Sequence, residues 1–325
     1  MLYNYIRMKR FCLVLILLAA SSLFAAYPDE YPGYLRMLGF SKKEIRDLRD
    51  GGIVIHTHKE VRPGERGISA ARVFDVPGYF IRDYYSYIEN FRNLQNFQIV
   101  GKFSEPATLQ DLEPLTFDAL ELKELASCKM KCSLNLTQEE INGIHDGIDL
   151  QEYYRNILLD RLSEYKTQAN HSKNYLQDFS YLPAYFPHVL NYLAKYPQTR
   201  DKKIPEFFFW IKEKIGAKNI IQLRHVYTQR VVDDFVLVNN LVYSNQSLMA
   251  SASVVHLINY VDRGFPRTLL VYYGRNYVDP ETGTPSRQDK RIFSALELAG
   301  KELEKRYLSS YYPDFPYGLR PTDQR

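Results

Sequence analysis

The chain has 325 residues, of which 45% are hydrophobic and 25% are charged, and its formal net charge is +4. Three of the 42 basic residues (Arg7, Lys9 and Arg10) fall in a predicted export signal, so 39 basic residues face 38 acidic ones in the mature chain, a net charge of +1. A near-neutral chain argues against a nucleic-acid partner, and about 300 residues are enough for one large domain.

The first predicted element is a secretory signal peptide over residues 1–26. Lys9 and Arg10 precede an apolar run at residues 11–24, which ends at the small pair Ala25–Ala26. A basic start, a short apolar stretch and a small-residue exit are typical of an export signal. The run is shorter than the ~20 residues of a membrane-spanning helix. We therefore expect cleavage near Ala25 or Ala26 and export to the periplasm or the cell exterior.

Residues 41–103 predict a helix, two strands, a second helix and a third strand. Ser41 with Glu44 three residues later is a capping box, which begins a helix that ends at residues 51–52. The runs at 53–58 and 68–76 predict strands, a helix follows from 77 to about 92, and 97–103 predicts the third strand. His56 and His58 share one face of the first strand, as a metal site requires, but no third ligand is evident and we predict no metal site.

Cys128 and Cys132 are the two cysteines that remain once Cys12 leaves with the signal. In an oxidising compartment they can close a small local loop, for which the chain-entropy model gives roughly 2 kcal/mol. We expect a disulfide between them. Free thiols, or a metal or redox role, are the alternatives.

Residues 104–215 are predicted to form a helical insertion. Thr137 and Glu140 repeat the capping-box pattern and begin a helix expected to end at Asp146–Gly147. Apolar residues then recur at helical spacing and define one buried stripe, made of Leu150, Tyr154, Ile157, Leu158, Leu162 and Tyr165.

The C-terminal third predicts strands followed by a long helix. Strand candidates lie at 220–231, 235–243, 249–261 and 268–275, with turn signals between successive runs. Ser286 and Asp289 are expected to cap the final helix, which carries one apolar face: Ile292, Ala295, Leu296, Ala299, Leu303 and Tyr307. Residues 309–325 form a Tyr/Pro-rich tail.

Sequential antiparallel strands followed by one amphipathic helix predict an α+β fold. The order of elements over 52–103 and 220–308 resembles the helix-grip fold of START-like lipid-binding proteins. That resemblance implies a single domain over 27–308, in which a curved antiparallel sheet packs on the long C-terminal helix and leaves a cavity between them. Three segments are also similar to parts of uncharacterised exported bacterial proteins: Leu223-Arg224-His225-Val226, Leu241-Val242-Tyr243 and residues 270–275.

A period of two along the strands predicts one largely apolar wall with a few polar groups, the pattern of a ligand pocket. The pocket candidates are His225, Tyr227, Asn239, Tyr243, His256 and Tyr260. The alternative is a filled core in which these polar tips bond to the backbone or to buried water.

The leading hypothesis is an exported, non-enzymatic protein that binds an apolar or amphipathic small molecule such as a lipid. The sequence contains no specific catalytic motif, so we predict no cofactor and assign no catalytic residue. One alternative is a hydrolase-like enzyme that uses His225 or His256 as acid or base. Another is a surface or scaffold protein. A membrane surface stays open as a partner, and the oligomeric state is not predicted.

Overall fold

The structure is a computed structural model in which residues 33, 35–36, 38–60, 63–86, 97–129, 132–167, 192, 195–201, 203–215, 218–246, 248–262, 264–278 and 288–311 are described. The side chains of residues 288–292 and 311 are not included in that description. The predicted signal peptide, Ser286 and residues 312–325 lie outside the described residues.

Eight antiparallel strands form one sheet, which confirms the predicted α+β class. Along the sheet the strands follow the order β1-β2-β8-β7-β6-β5-β4-β3, so strands β4 to β8 form a continuous meander and β1 and β3 are the edges. The strands are β1 Ile53–His58, β2 Glu65–Phe74, β3 Phe97–Lys102, β4 Glu206–Ile215, β5 Lys218–Val231, β6 Asp234–Ser244, β7 Leu248–Asp262 and β8 Phe265–Val278.

Strand β4 corrects the expected end of the helical insertion. Residues 206–215 were assigned to that insertion but pair in full with β5, from Glu206 opposite Tyr227 to Ile215 opposite Lys218. The reason is that β4 is buried on both faces, so its apolar residues do not alternate with polar ones and give no period-two signal. Phe208 and Trp210 pack on one side, and Phe209 and Ile211 pack on the other.

Six α-helices are described, and both capping boxes are confirmed. The helix that begins after Thr137 is shorter than expected, because the Glu140 carbonyl accepts a hydrogen bond from the Tyr153 hydroxyl at 2.7 Å. The Ile144 N–H, which would bond the Glu140 carbonyl if the helix continued, donates to the Ile141 carbonyl. The helices are α1 Lys42–Arg49, α2 Gly78–Ser86, α3 Ala119–Ala126, α4 Gln138–Asn142, α5 Leu150–Thr167 and α6 Gln288–Tyr311, with a 3₁₀ turn at Leu109–Leu112.

Helices cover both faces of the sheet. The face that we call the α5 face packs against α1 and α5, and its core includes Ala71, Leu223 and Val254. The opposite face, the α6 face, packs against α2 and α6 through a second core that includes Phe74, Leu237 and Leu257. Five of the six residues in the predicted stripe of α5 are buried, and Leu150 is partly buried. In the apolar face predicted for the final helix, α6, the buried residues are Leu296, Ala299, Leu303 and Tyr307.

No helix in the described part of the chain combines the length and the apolar character that crossing a membrane requires.

The predicted disulfide between Cys128 and Cys132 is present and lies between α3 and α4. The segment that follows docks on the turn between β6 and β7. Asn135 donates its backbone N–H to the Asn245 carbonyl at 2.9 Å, and its side-chain amide donates to the Ser244 carbonyl at 2.8 Å. The disulfide loop is therefore anchored to the sheet.

Candidate functional site

The α6 face carries a group of polar residues in the middle of an otherwise apolar sheet. Register places them beside one another on neighbouring strands, since Asn239 pairs with Ser253 and Ser253 pairs with Gly274. Gly274 leaves room for the Tyr272 ring, whose hydroxyl occupies the space that a side chain at 274 would need. We call this group the polar cluster: Glu213, Gln222, Arg224, Asn239, Ser251, Ser253 and Tyr272.

Arg224 lies at the centre of the polar cluster. Its Nε and Nη2 donate to Gln222 Oε1 at 2.9 and 2.5 Å. Its Nη1 donates to Asn239 Oδ1 at 3.2 Å and to Ser251 Oγ at 3.3 Å. Gln222 Nε2 in turn donates to Glu213 Oε1. The guanidinium is thus held in one orientation by neutral acceptors, and the acid of the cluster, Glu213, is hydrogen-bonded to Gln222.

Arg224 and Tyr272 are enclosed by protein, yet both keep accessible surface. Burial lowers the pKa of Arg224, against the opposing influence of Glu213 and Tyr272. Burial also raises the pKa of the Tyr272 phenol, so this hydroxyl stays protonated. Arg224 and Tyr272 are therefore desolvated groups that still present some accessible surface on the α6 face.

Apolar residues border the polar cluster on both sides of the α6 face. On the side covered by α2 and α6, Ile55, Phe80 and Val255 pack against the core and keep accessible surface. Towards β3 a separate apolar group lies on the same face, formed by Val100, Phe209, Ile211 and Val226. The α6 face therefore offers both apolar surface and a fixed cation, as an amphipathic ligand requires.

The predicted candidates His225 and Tyr227 lie on the α5 face, away from α6. His225 Nε2 bonds Glu206 Oε2 at 3.0 Å and its Nδ1 bonds the Tyr165 hydroxyl at 3.1 Å. The imidazole stacks on Phe208 with ring centroids 4.5 Å apart, and His225 has no exposed surface. Tyr227 is equally enclosed, with Tyr192 packed against it.

Glu206 collects three donors next to His225. Arg200 Nε donates to its Oε1 at 2.5 Å and the Tyr192 hydroxyl donates to its Oε2 at 2.9 Å. Burial alone would raise the pKa of Glu206, but His225, Tyr192 and Arg200 outweigh it and lower the pKa to about 2. Burial lowers the pKa of His225, which Glu206 only partly offsets. The pair is therefore a neutral imidazole beside an ionised carboxylate.

The other candidates divide between the two faces of the sheet. Tyr243 donates its hydroxyl to the Asn135 carbonyl at 3.0 Å on the α5 face. His256 Nε2 bonds Asp234 Oδ2 at 3.2 Å. Tyr260 packs against the core of the α5 face. Asn239 lies on the α6 face and contacts Arg224. The six candidates therefore do not line a single pocket.

A register shift in β6 separates Asn239 from Tyr243. Leu223 pairs with Tyr243 while the next residue, Arg224, pairs with Leu241, so the shift interrupts strict alternation. Side chains beyond such a bulge change face relative to a period of two. The sequence reasoning placed Asn239 and Tyr243 together because it assumed an unbroken period.

Sequence reasoning missed Arg224, Gln222, Ser251 and Tyr272 as site residues. It assigned the Gln222–Arg224 side of β5 to the face away from the core, although helices cover both faces. A signal was available: polar residues at 222, 224, 239, 251 and 253 lie at alternate positions within strands that are largely apolar on both faces.

His56 and His58 have separate partners on the α5 face. His56 Nε2 lies 3.1 Å from Glu44 Oε1, and His58 Nε2 lies 3.0 Å from Ser69 Oγ. Within the described ranges, no three His, Cys, Asp or Glu side chains are grouped as metal ligands would be.

No protein-family model and no curated protein matches this chain. Among solved structures it is similar to a STAR-related lipid transfer protein from Xanthomonas axonopodis, at 7% identity and a TM-score of 0.38, over 79% of this chain and 93% of that one. It is also similar to human STARD10, at 12% identity and a TM-score of 0.34, over 87% and 89% of the two chains. The di-domain ARO/CYC StfQ from the steffimycin biosynthetic pathway gives 10% identity and a TM-score of 0.23, over 82% and 93%.

Proposed function

We propose that this is an exported, non-enzymatic protein that binds an amphipathic small molecule, such as a lipid, on the α6 face of its sheet. The ligand lies between the central strands and the layer formed by α2 and α6. The export signal read from residues 1–26 supports delivery outside the cytoplasm, where a disulfide such as Cys128–Cys132 persists.

The observation that carries this proposal is that polar and apolar residues on the α6 face are enclosed by protein and still partly accessible. Arg224 and Tyr272 are desolvated by surrounding protein yet partly accessible. Val255 and Ile55 are also partly accessible and belong to the apolar side of the same face. Concave, mostly apolar sites with a few fixed polar groups are the usual form of small-molecule sites.

The geometry around the histidines favours binding over hydrolysis. A catalytic imidazole must reach substrate as well as a second functional group, and His225 has no exposed surface. Its partner Tyr165 is a poor acid, because burial raises the pKa of that phenol. His256 contacts a carboxylate, Asp234, and a structural hydrogen bond between neighbouring strands accounts for that contact.

A matched pair of substitutions on β7 tests the proposal. Val255→Trp fills the α6 face, whereas Val261→Trp adds the same side chain at an exposed position of the same strand. We expect the neutral probe N-phenyl-1-naphthylamine to bind wild type and Val261→Trp, with fluorescence enhancement, and to bind Val255→Trp at least roughly tenfold more weakly.

Solvent extraction of the wild-type protein gives an independent readout. We expect mass spectrometry to detect an amphiphile released on denaturation. A wild-type protein that carries no such molecule and does not bind the probe contradicts the proposal. Circular dichroism and thermal melting of both tryptophan variants separate lost binding from lost folding.

A further inference from the structure

Arg224 carries a positive charge whose direct hydrogen-bond acceptors are all neutral, while Glu213 acts on it without a direct contact. A guanidinium keeps its proton in proteins, and the acceptors around this one are the amide oxygens of Gln222 and Asn239 and the hydroxyl of Ser251. Glu213 bonds Gln222 rather than Arg224. Within the described part of the chain, no carboxylate forms a direct ion pair with Arg224.

An enclosed charge without a direct counter-ion is costly to maintain. Other enclosed cations of this protein are paired: Arg275 with Glu65 at 2.5 Å, and Lys212 with Glu121 at 2.6 Å. Arg224 differs from them because it lies among neutral acceptors on the α6 face and keeps accessible surface. A ligand that brings its own negative charge would supply the missing partner.

The neighbours of Arg224 also fix its orientation. Gln222 holds Nε and Nη2, while Asn239 and Ser251 hold Nη1 from the adjoining strands. These four hydrogen bonds leave one of the five N–H donors, on Nη2, for a ligand. A guanidinium held in this way is pre-organised to donate that N–H to a carboxylate or phosphate oxygen in a charge-assisted hydrogen bond.

We propose that Arg224 binds the anionic headgroup of an amphiphile, a carboxylate or a phosphate monoester, whose apolar chain lies along the α6 face beside Val255 and Leu257. This inference rests on the proposed function and adds to it the charge and the class of the ligand. Tyr272 remains a neutral hydroxyl beside this headgroup and does not add a second negative charge.

The test is displacement of N-phenyl-1-naphthylamine from the mature protein by three ligands with the same chain: palmitate, monohexadecyl phosphate and hexadecanol. We expect at least one of the acids to bind roughly tenfold or more tightly than the alcohol, as a charge-assisted hydrogen bond implies. Arg224→Met removes that preference and leaves the alcohol affinity within about threefold of wild type. Whichever acid wild type prefers identifies the headgroup chemistry.

Arg230→Met is the matched control, because Arg230 lies on the same strand but is exposed at its end, where it pairs with Asp233. We expect it to leave all three affinities unchanged. Arg224→Lys keeps the charge without the forked geometry and retains part of the acid preference, which supplies the test if Arg224→Met does not fold.

Three outcomes overturn the inference. If wild type binds the acids and the alcohol with equal affinity, the inference about Arg224 is wrong, while the proposed function is unaffected. Weaker binding of acids and alcohol alike in Arg224→Met, with the preference intact, means that Arg224 only supports the fold. A wild-type protein that binds neither the probe nor any of the three ligands overturns this inference and the proposed function together.

Discussion

Arg224 and His225 show how one step along a strand separates two kinds of chemistry. Successive side chains of a strand point to opposite faces, so His225 contacts Glu206 and Tyr165 on the α5 face, while Arg224 contacts Asn239 and Ser251 on the α6 face. His225 is sealed by aromatic rings and Arg224 is partly accessible. We therefore expect the first residue to support stability, and the proposed ligand binding falls to the second.

The His225–Glu206 pair predicts that the protein loses stability as pH falls. The folded pKa of His225 lies below its ordinary value of 6.5, so below pH 6.5 the unfolded state takes up the proton first and the free energy of unfolding decreases. Glu206, with a folded pKa of about 2 against an ordinary 4.5, acts in the same direction between those values. Its full contribution is about 3 kcal/mol by linkage.

Urea denaturation at pH 7.5, 6.5, 5.5 and 4.5 measures this dependence. We expect His225→Gln to flatten the decrease between pH 6.5 and 4.5. The exposed His145 provides the control substitution, His145→Gln, which should keep the wild-type slope. Parallel slopes for wild type and His225→Gln would refute this assignment.

Gly101 predicts a steric limit at the edge of the sheet. A Cβ at this position would lie 2.7 Å from Trp210 Nε1 and closer still to two carbons of the same indole. Trp210 cannot move easily, since it has no exposed surface and donates Nε1–H to the Asp111 carbonyl at 2.9 Å. We expect Gly101→Ala to lower the free energy of unfolding by about 1–3 kcal/mol, as overpacking does.

A double-mutant cycle with Trp210→Phe checks the cause of that loss. In chemical denaturation, the double mutant should lose less free energy of unfolding than the two single variants lose together, because the smaller ring relieves the clash. Additive losses would show that Gly101 is needed for another reason.

At the scale of elements, local sequence signals set where helices begin, and tertiary contacts set where they end. Ser41 and Thr137 both accept from the backbone of the third helical residue. The first helix runs for eight residues and the second for five, because Tyr153 from α5 occupies the Glu140 carbonyl. Capping boxes are therefore readable from sequence, whereas competition for a carbonyl is not.

The disulfide between α3 and α4 is expected to contribute modestly to stability. Its loop spans only four positions, and the chain-entropy model gives roughly 2 kcal/mol for so short a loop. Replacing both Cys128 and Cys132 by Ser should therefore lower the free energy of unfolding by at most about 2 kcal/mol without abolishing folding.

Denaturation of wild type with and without dithiothreitol is the control for this substitution. Reduced wild type should match the double variant, and thiol titration of denatured, unreduced protein should detect no free thiol. Unchanged stability on reduction would contradict the expected contribution.

At the scale of the whole molecule, the sequence was sufficient for the strands that alternate and for the two long helical stripes. It failed at β4, whose burial on both faces removes alternation, and at the register shift opposite Leu223–Arg224. It also failed to identify the face that carries the candidate site. That choice depends on which side of the sheet α5 and α6 each cover, and this is a tertiary contact that no local pattern encodes.

The strand order has a consequence for how the site is assembled during folding. Strands β4 to β8 are joined by hairpins, whereas β2 must pair with β8 from Glu65 opposite Tyr277 to Phe74 opposite Thr268. Closing a long loop costs more entropy than closing a hairpin, and such contacts form late. The polar cluster lies wholly on β4 to β8, so its residues come together in the early meander. We expect the β1–β2 hairpin and α6 to dock afterwards, on a sheet whose polar cluster has already formed.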